Sequence, residues 1–476
     1  MLFLEPVWLS ILIPTFFALL LLIASLAVRH WQRGAFDKAL VLSAAGFALA
    51  WAIGGPVSAA LVAASVLVTH RIGVAIERAQ ARPPHLTSRA STPARAWLAA
   101  GVVVQIAIVA AIARIGFISP PAQGLRVAIV PFGVSFFAFH AISYLVDVYR
   151  RRAAAEASRW QLGVHLLVLP QIVGGPLAYE ATSRQLARHL PSLSDYSYGV
   201  RRLVIGAWKV LVMAYFAGRQ ADAIFGLRPS SLSTFQAWLG LVSFTVQIYY
   251  AFSGYSDMGI GLARMVGIRL PENFRWPYVG ETVREFWRRW HTGLSGWFRE
   301  YADVRLEADR IPPPSAGREA LVVLLCAAWY GVGWTFIVWG LYHAALIALE
   351  WAGLESAIRR LPSPLRHLYL VAAVMVGWVI LRSPTLTGAL QFLAALAGQN
   401  PPAARIPPPI GVDMWLVLAA GVIGCAPLFS SIRRWTVAID SLIVSLLMML
   451  FAACLFAWRG LRLAAAPVVR GWSMIR

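Results

Sequence analysis

Acidic side chains are scarce in this chain. Twenty-one Asp and Glu stand against 42 Lys and Arg among 476 residues, giving a formal net charge of +21. Charged residues of both signs make up only 13% of the sequence while 59% is hydrophobic, and the mean hydropathy is +0.67. So little charge cannot cover the surface of a water-soluble protein of this length, which excludes that class. In a soluble protein the basic excess would suggest nucleic acid. Here the basic residues sit in loops between apolar runs, where the positive-inside bias and anionic headgroups account for them, so nucleic acid is not expected as a partner. Cysteine is nearly absent. Cys326, Cys425 and Cys454 each lie inside an apolar run and no Cys-x-x-Cys occurs, which excludes a disulfide framework and gives no metal site. There is also no internal repeat and no inverted pair of broken apolar segments, which speaks against a transporter built from repeats.

What is present is apolar sequence over nearly the whole length. The expected fold is an all-α polytopic membrane protein forming one integral membrane domain over residues 1–476. The run 7–28 is too long for the apolar core of a cleaved signal peptide and is read as a retained first span. Further spans are expected at about 39–53, 57–77, 96–116, 125–147, 201–224 and 235–252, then in the run 320–350, and at about 368–382, 386–398, 410–428 and 440–457. Gly54-Gly55-Pro56 reads as the end of the second. A hairpin between 39 and 77 would put the basic loops 29–38 and 71–95 on one side. By the positive-inside bias that side is cytoplasmic, with the N-terminus outside; Arg150-Arg151-Arg152 falls on the same side. Lys209, inside an apolar run, is costly unless paired or near an interface. Leu166–Tyr179 (LLVLPQIVGGPLAY) is either a kinked span or a re-entrant, cavity-lining element. The segment 252–278, punctuated by Gly and Pro, reads as short helices and loops.

The most informative stretch is Thr282–Tyr301, TVREFWRRWHTGLSGWFREY. Wound as one helix at about 100° per residue, Trp287, Trp290, Leu294, Trp297, Phe298 and Tyr301 form an apolar stripe. Arg284, Arg288 and Arg299 form a neighbouring one, and His291 falls at the seam. Fixed positive charge beside the ring would keep the imidazole neutral, as a general base requires. Two readings are open. One is an interfacial membrane helix of Trp and Arg; the other is a reaction site.

Five blocks carry a resemblance: Pro131–Arg150 (PFGVSFFAFHAISYLVDVYR), Leu169–Pro176 (LPQIVGGP), Phe252–Tyr278 (FSGYSDMGIGLARMVGIRLPENFRWPY), Glu285–Tyr301 (EFWRRWHTGLSGWFREY) and Trp334–His343 (WTFIVWGLYH). In this order they resemble the membrane-bound O-acyltransferases (MBOAT), in the bacterial branch that includes the alginate O-acetyltransferase membrane subunit and the D-alanyl-lipoteichoic acid transporter. The resemblance covers roughly 130–345, the expected core. It implies a ring of about 11–13 transmembrane and re-entrant helices around a central passage, in the bacterial inner membrane. It implies no bound cofactor and an acyl group carried in as a thioester on CoA or on an acyl carrier protein. The acceptor would be a hydroxyl of a cell-surface polysaccharide, with a periplasmic acetyltransferase as a further partner beside the phospholipid. It places His291 and Tyr330 at catalytic positions. Arg284, Arg288, Arg289 and Arg299 are then candidates for donor phosphates, against lipid-phosphate or structural ion-pair roles. Ser253, Tyr255, Asp257, Asn273, Trp287, Trp290 and Trp334 are the expected passage lining.

Two blocks depart from the family pattern. The family's invariant histidine stands in a Leu-Trp-His-Gly block, and here that block is Ala328-Trp329-Tyr330-Gly331, so a phenol replaces the imidazole. The Tyr-apolar-Pro-Leu-Gly-Gly segment after the focal stretch is replaced by Val304–Ile311 (VRLEADRI). Both an active transferase using His291 and a non-catalytic scaffold or acyl-passage subunit are therefore open. His343 lies 13 residues past Tyr330, about 220° round a helix, and cannot take over its face. His140, His165 and His343 are each expected to be satisfied core histidines.

Overall fold

The computed structural model describes residues 35–81, 92–118, 124–167, 179, 185, 191–265, 267–301, 314–331, 333–400 and 412–426. The expected spans 7–28 and 440–457, the broken segment 168–178, the divergent segment 304–311 and Cys454 lie outside these residues. Every regular element among the described residues is helical, in keeping with an all-α polytopic membrane protein. Among the described residues, four apolar stretches are long enough to cross a bilayer: Ala59–Gln80, Pro93–Ala111, Trp334–Arg359 and Ser363–Arg382.

Two compact units divide the chain. The first comprises Met1–Gly199, Gly259–Asn273 and His291–Cys326. It contains α1 (Ala35–Gln80), α2 (Thr92–Ile118), α3 (Gly124–Tyr149) and α4 (Arg159–Leu167), with α1 packed against the other three. A buried polar relay holds α1 to α2: Ser65 Oγ donates to Gln105 Oε1 at 2.8 Å and Gln105 Nε2 to Thr69 Oγ1 at 2.9 Å. In an apolar environment such paired polar groups hold helices together.

The second unit comprises Val200–Met258, Phe274–Trp290 and Ala327–Arg476. In chain order the elements that bear on it are α5 (Leu193–Trp208), a π-helical turn (Lys209–Ala214), α6 (Tyr215–Phe225) and α7 (Thr234–Met265). These are followed by α8 (Val283–Trp287), α9 (Thr292–Tyr301), which belongs to the first unit, α10 (Ala316–Tyr330), most of which does too, α11 (Trp334–Leu349), a second π turn (Glu350–Leu354) and α12 (Glu355–Arg359). Then come α13 (Ser363–Arg382), α14 (Leu386–Leu396) and α15 (Val412–Gly424). Helix α13 packs on α11 and α14, and α8 packs on α11 and α13.

Three expectations are corrected. The spans 39–53 and 57–77 are one helix, α1, with Pro56 inside it. Ending a helix in an apolar setting strands backbone polar groups, and that costs more than accommodating one proline. The basic loops 29–38 and 71–95 therefore do not flank a hairpin. The segment 252–265 is not loops but the C-terminal part of α7. Its glycines serve close helix packing: a Cβ on Gly206 would come 2.6 Å from the Gly254 carbonyl oxygen and 2.7 Å from the Met258 nitrogen. Finally, the run 320–350 is split at 331–333 into α10 and α11.

The Lys209 expectation is met by pairing. Its Nζ lies 2.7 Å from Asp257 Oδ2, and Arg202 Nη2 lies 2.6 Å from Asp257 Oδ1.

Gly206→Ala should destabilise the protein by about 1–3 kcal/mol, because backbone on α7 cannot yield to the new methyl group. Gly296→Ala, where nothing lies within 4 Å, should be neutral or stabilising. Thermal unfolding in detergent measures both, and equal midpoints for the two variants would contradict the close α5–α7 packing.

Candidate active site

The focal stretch is not one helix. Thr282 caps α8 by accepting from the Glu285 amide at 3.2 Å, and the Glu285 carboxylate returns the bond to the Glu281 amide at 3.0 Å, a reciprocal capping box. After five residues α8 ends, and at His291 the backbone enters the left-handed region with φ 46°. Then α9 begins. The break is imposed from the Pro271–Phe274 segment (PENF). The Asn273 carbonyl accepts from the Thr292 amide at 2.9 Å and the Glu272 carbonyl from Thr292 Oγ1 at 2.6 Å. Asn273 Oδ1 accepts from the Gly293 amide at 2.9 Å and lies where a Cβ on Gly293 would go. These bonds replace the intrahelical partners that a continuous helix would have supplied to the same amides. The stripe of Arg284, Arg288 and Arg299 on one helix face therefore does not exist.

Within the first unit, α3 cradles α9 through one face of each helix. Trp297 Nε1 donates to Ser143 Oγ at 2.7 Å, and the Tyr301 hydroxyl lies 3.2 Å from both carboxylate oxygens of Asp147. Arg150 donates to the Glu300 carbonyl at 3.0 Å and Arg152 pairs with its carboxylate at 2.9 Å. Phe139 packs on Trp297 with ring centroids 4.4 Å apart. At the head of this ladder the His291 ring is stacked with Phe136 at 6.5 Å. Two of the resembling blocks thus meet here. Ser143 and Asp147, not among the expected site residues, are what hold α9; the spacing of four between them was the visible signal.

His291 is 7% exposed and lies outside the four apolar spans. Burial pushes its imidazole down to about 3, so the ring is neutral, as expected. The cause is desolvation, however, and not the charge of neighbouring arginines. A non-glycine residue held at positive φ costs on the order of 1 kcal/mol or more, and such residues cluster at functional sites.

Within the second unit, α8, α7, α10, α11 and α13 supply an aromatic cluster around Trp290, which is fully buried. Trp290 Nε1 donates to the Tyr330 hydroxyl oxygen at 3.0 Å. The Tyr330 ring contacts Phe252 at 5.3 Å and Trp339 at 5.4 Å, and Trp290 stacks on Phe286 at 5.3 Å. Trp287 contacts Trp339 and His343 at 5.7 and 5.6 Å. His343 is wholly buried, as expected of a core histidine, but it is not satisfied. Neither ring nitrogen has a hydrogen-bond partner among the described residues, and the ring lies against Gly377 where a Cβ would stand. His165 Nδ1 donates to the Gln161 carbonyl of its own helix at 2.8 Å, and His140 is buried in α3.

The remaining expected site residues divide. Arg284 is committed to Glu355 at 2.5 Å and lies 4.1 Å over the Trp351 ring, a structural ion pair. Arg289 donates to the Arg275 carbonyl at 3.4 Å, Arg288 is exposed on the turn after α8, and Arg299 is half-buried on α9. Ser253 is buried, and Asp257 is buried as the centre of the Arg202–Lys209 triad. Asn273 is a helix cap. Trp334 is 75% exposed at the start of α11, and Tyr255 is exposed on α7. Glu350 is a buried acid that the sequence reading passed over because it stands alone at the end of an apolar run.

Within the first unit a buried neutral histidine is pinned at a break between two helices, and within the second a phenol accepts an indole N–H. The sequence profile described as "MBOAT, membrane-bound O-acyltransferase family" matches residues 177–380. The chain is 34% identical over 349 residues to the "Probable alginate O-acetylase AlgI" of Azotobacter vinelandii, covering 71% of this chain and 68% of that relative. It is 30% identical over 307 residues to the "Peptidoglycan O-acetyltransferase" of Helicobacter pylori, covering 57% and 58% of the two chains. Against the "Teichoic acid D-alanyltransferase" of Bacillus subtilis the identity is 25% over 232 residues, 45% and 57% of the two. The chain belongs to the membrane-bound O-acyltransferase family. It is a multi-pass membrane acyltransferase.

The neutral His291 gives a pH prediction. Its folded value is lowered, so the unfolded chain binds the proton first, and this contribution to stability is full above about pH 6.5 and lost as pH falls toward about 3. Between pH 7 and pH 5 the loss should be about 2 kcal/mol. His291→Asn, which tolerates the left-handed backbone, should show a correspondingly smaller fall in thermal midpoint over that range. An identical fall in wild type and variant would contradict a buried neutral imidazole.

Proposed function

We propose that the protein is an O-acetyltransferase that passes an acetyl or other acyl group from a cytosolic thioester donor to a hydroxyl of an extracytoplasmic polysaccharide. Similarity to the alginate and peptidoglycan enzymes supports the acceptor class. The observation that carries the reaction assignment is His291: neutral, buried, and held at positive φ by bonds from the Asn273 segment. In the step proposed, the acceptor hydroxyl gives its proton to the imidazole, and its oxygen attacks the thioester carbonyl. The C–O bond forms and the C–S bond breaks, and the departing thiolate takes the proton back from the imidazolium. The donor thioester is carried on CoA or on an acyl carrier protein, and Arg288, Arg289 and Arg299 are the arginines proposed for its phosphates. Arg284, committed to Glu355, is not. Ser253, Tyr255, Asp257, Asn273, Trp287, Trp290 and Trp334 remain the proposed passage lining, Asp257 and Asn273 through the backbone they fix. The whole chain acts as one membrane domain, with a periplasmic acetyltransferase as the proposed partner for delivery to the polysaccharide.

A second reading, a catalytically impaired relative serving as scaffold or acyl-passage subunit, is favoured by one observation: Tyr330 stands where the family has its histidine. Acetyl transfer from a labelled thioester to a candidate glycan separates the two. A positioned general base contributes about 10²–10⁴-fold. His291→Ala should therefore lower transfer by about that factor, while Tyr330→Phe, which removes only a hydroxyl, should lower it far less. Full activity in His291→Ala refutes the base assignment, and no transfer by the wild type selects the second reading.

The proposed orientation puts the basic segment 148–159 in the cytoplasm by the positive-inside bias; with α1 one helix, the hairpin that placed the N-terminus outside is gone, and that placement goes with it. A cysteine replacing Ala154 in a Cys-free background should resist an impermeant thiol reagent in intact cells and react after lysis. Labelling in intact cells overturns the orientation.

A further inference from the structure

Glu350 ends the apolar helix α11 and opens the second π turn, and it is 2% exposed. A carboxylate at such depth is expensive unless every oxygen is satisfied, and its presence marks a task. Three donors reach it. Oε1 accepts the Val283 amide at 2.7 Å and the Tyr369 hydroxyl at 3.0 Å, and Oε2 accepts the Arg284 amide at 2.9 Å. Val283 and Arg284 are the first two residues of α8, whose amides have no intrahelical partners. A side chain 66 residues away in sequence thus supplies the N-terminal cap that α8's own residues do not complete. It does so with a negative charge at the positive end of the helix.

A kink serves this. Within the turn Glu350–Leu354, Gly353 stands at φ 124°, outside helical geometry and readily adopted only by glycine, so that the helix breaks there and α12 leaves in a new direction. Glu355 and Arg359 on α12 then pair with the outer face of α8: Glu355 with Arg284 at 2.5 Å, and Arg359 with Glu285 at 3.2 Å. One short hinge clamps α8 from its buried end by Glu350 and from its exposed side by Glu355 and Arg359. At the other end of α8 stand Trp287, in contact with Trp339 and His343, and Trp290, donating to Tyr330. A helix of five residues has almost no stability of its own, so its placement, and hence that of the Trp290 N–H, is set by what holds it.

We propose that Glu350 is a positioning residue for acyl transfer, fixing α8 so that Trp290 holds the Tyr330 phenol in its working orientation. This rests on the reading that the Trp290–Tyr330 pair belongs to the reaction site. Glu350 touches no reacting group. Its effect passes through α8, which makes two signatures expected that a merely structural carboxylate would not give: a fall in kcat with KM for the donor unchanged, and energetic coupling to Trp290.

The experiment is a double-mutant cycle on the purified full-length protein in lipid, with transfer normalised to folded protein. Glu350→Ala should lower kcat about 3- to 10-fold, no more than Tyr330→Phe does, with donor KM within about twofold. Glu350→Gln keeps the volume and one acceptor oxygen and should recover much of that loss, which keeps the cycle usable if the alanine variant folds poorly. Trp290→Phe should lower kcat comparably. Adding either Glu350 variant to Trp290→Phe should then cost little more, because both act on the same hydrogen bond. Glu355→Gln, at the exposed side of the clamp, should cost less than Glu350→Ala. Multiplicative losses in the cycle, or full kcat in folded Glu350→Ala while Trp290→Phe is impaired, overturn the proposal. Full kcat in Trp290→Phe instead overturns the reading on which it rests.

Discussion

The amides of Thr292 and Gly293 look to the Asn273 segment for their hydrogen bonds, and much of the site depends on that exchange. Had those amides found partners one turn back, residues 283–301 would have formed a single amphipathic helix with neighbouring Trp and Arg stripes, the pattern of a helix lying at a membrane interface. Because the partners come from elsewhere, the chain turns through His291 at positive φ, and two short helices result where one long one was written in the periodicity. Each is then free to follow its own neighbour. The five-residue α8 is fixed by Glu350, and α9 is fixed by Ser143, Asp147 and Arg150 on α3.

Both attachments are polar contacts deep in apolar surroundings. There the alternative to a bond is a stranded donor or acceptor, and partners are correspondingly hard to exchange. The same economy governs Lys209, Arg202 and Asp257, three charges in helices that could not stand there singly. An acyltransferase at a membrane needs such fixity. The hydroxyl, the base and the thioester must meet in a place from which water is excluded, and the groups that meet them cannot be reoriented by solvent.

Much of this was legible in the residues. Long apolar runs fixed the class, and the order of the SGYSDM, PENF and FWRRWH blocks pointed to the family. Lys209 inside an apolar run implies a partner or an interface, and the partner is Asp257. The differences have physical causes. Gly54-Gly55-Pro56 signals a helix end by rules that hold in water, where a broken helix can be solvated, but α1 runs through it. The glycines of 254–261 signal loops in isolation, whereas in packed helices a missing Cβ is a means of close approach. A helical wheel over 282–301 assumes local hydrogen bonding throughout, and no periodicity can report that a residue 20 positions upstream of Gly293 will take over its amide and that of Thr292. Glu350 carried no local pattern at all. Its role is defined only by the amides it meets.

Tyr330 is where the account is most exposed. Its hydroxyl accepts the Trp290 N–H, which gives the phenol a defined place in a site that need not have kept it. The most direct test is acetyl transfer by the purified wild-type protein and by Tyr330→His, side by side, from a labelled acetyl thioester to a surface polysaccharide. A site built around the phenol predicts transfer by the wild type and no gain, or a loss, in Tyr330→His. Transfer by Tyr330→His from a wild type that has none would contradict it.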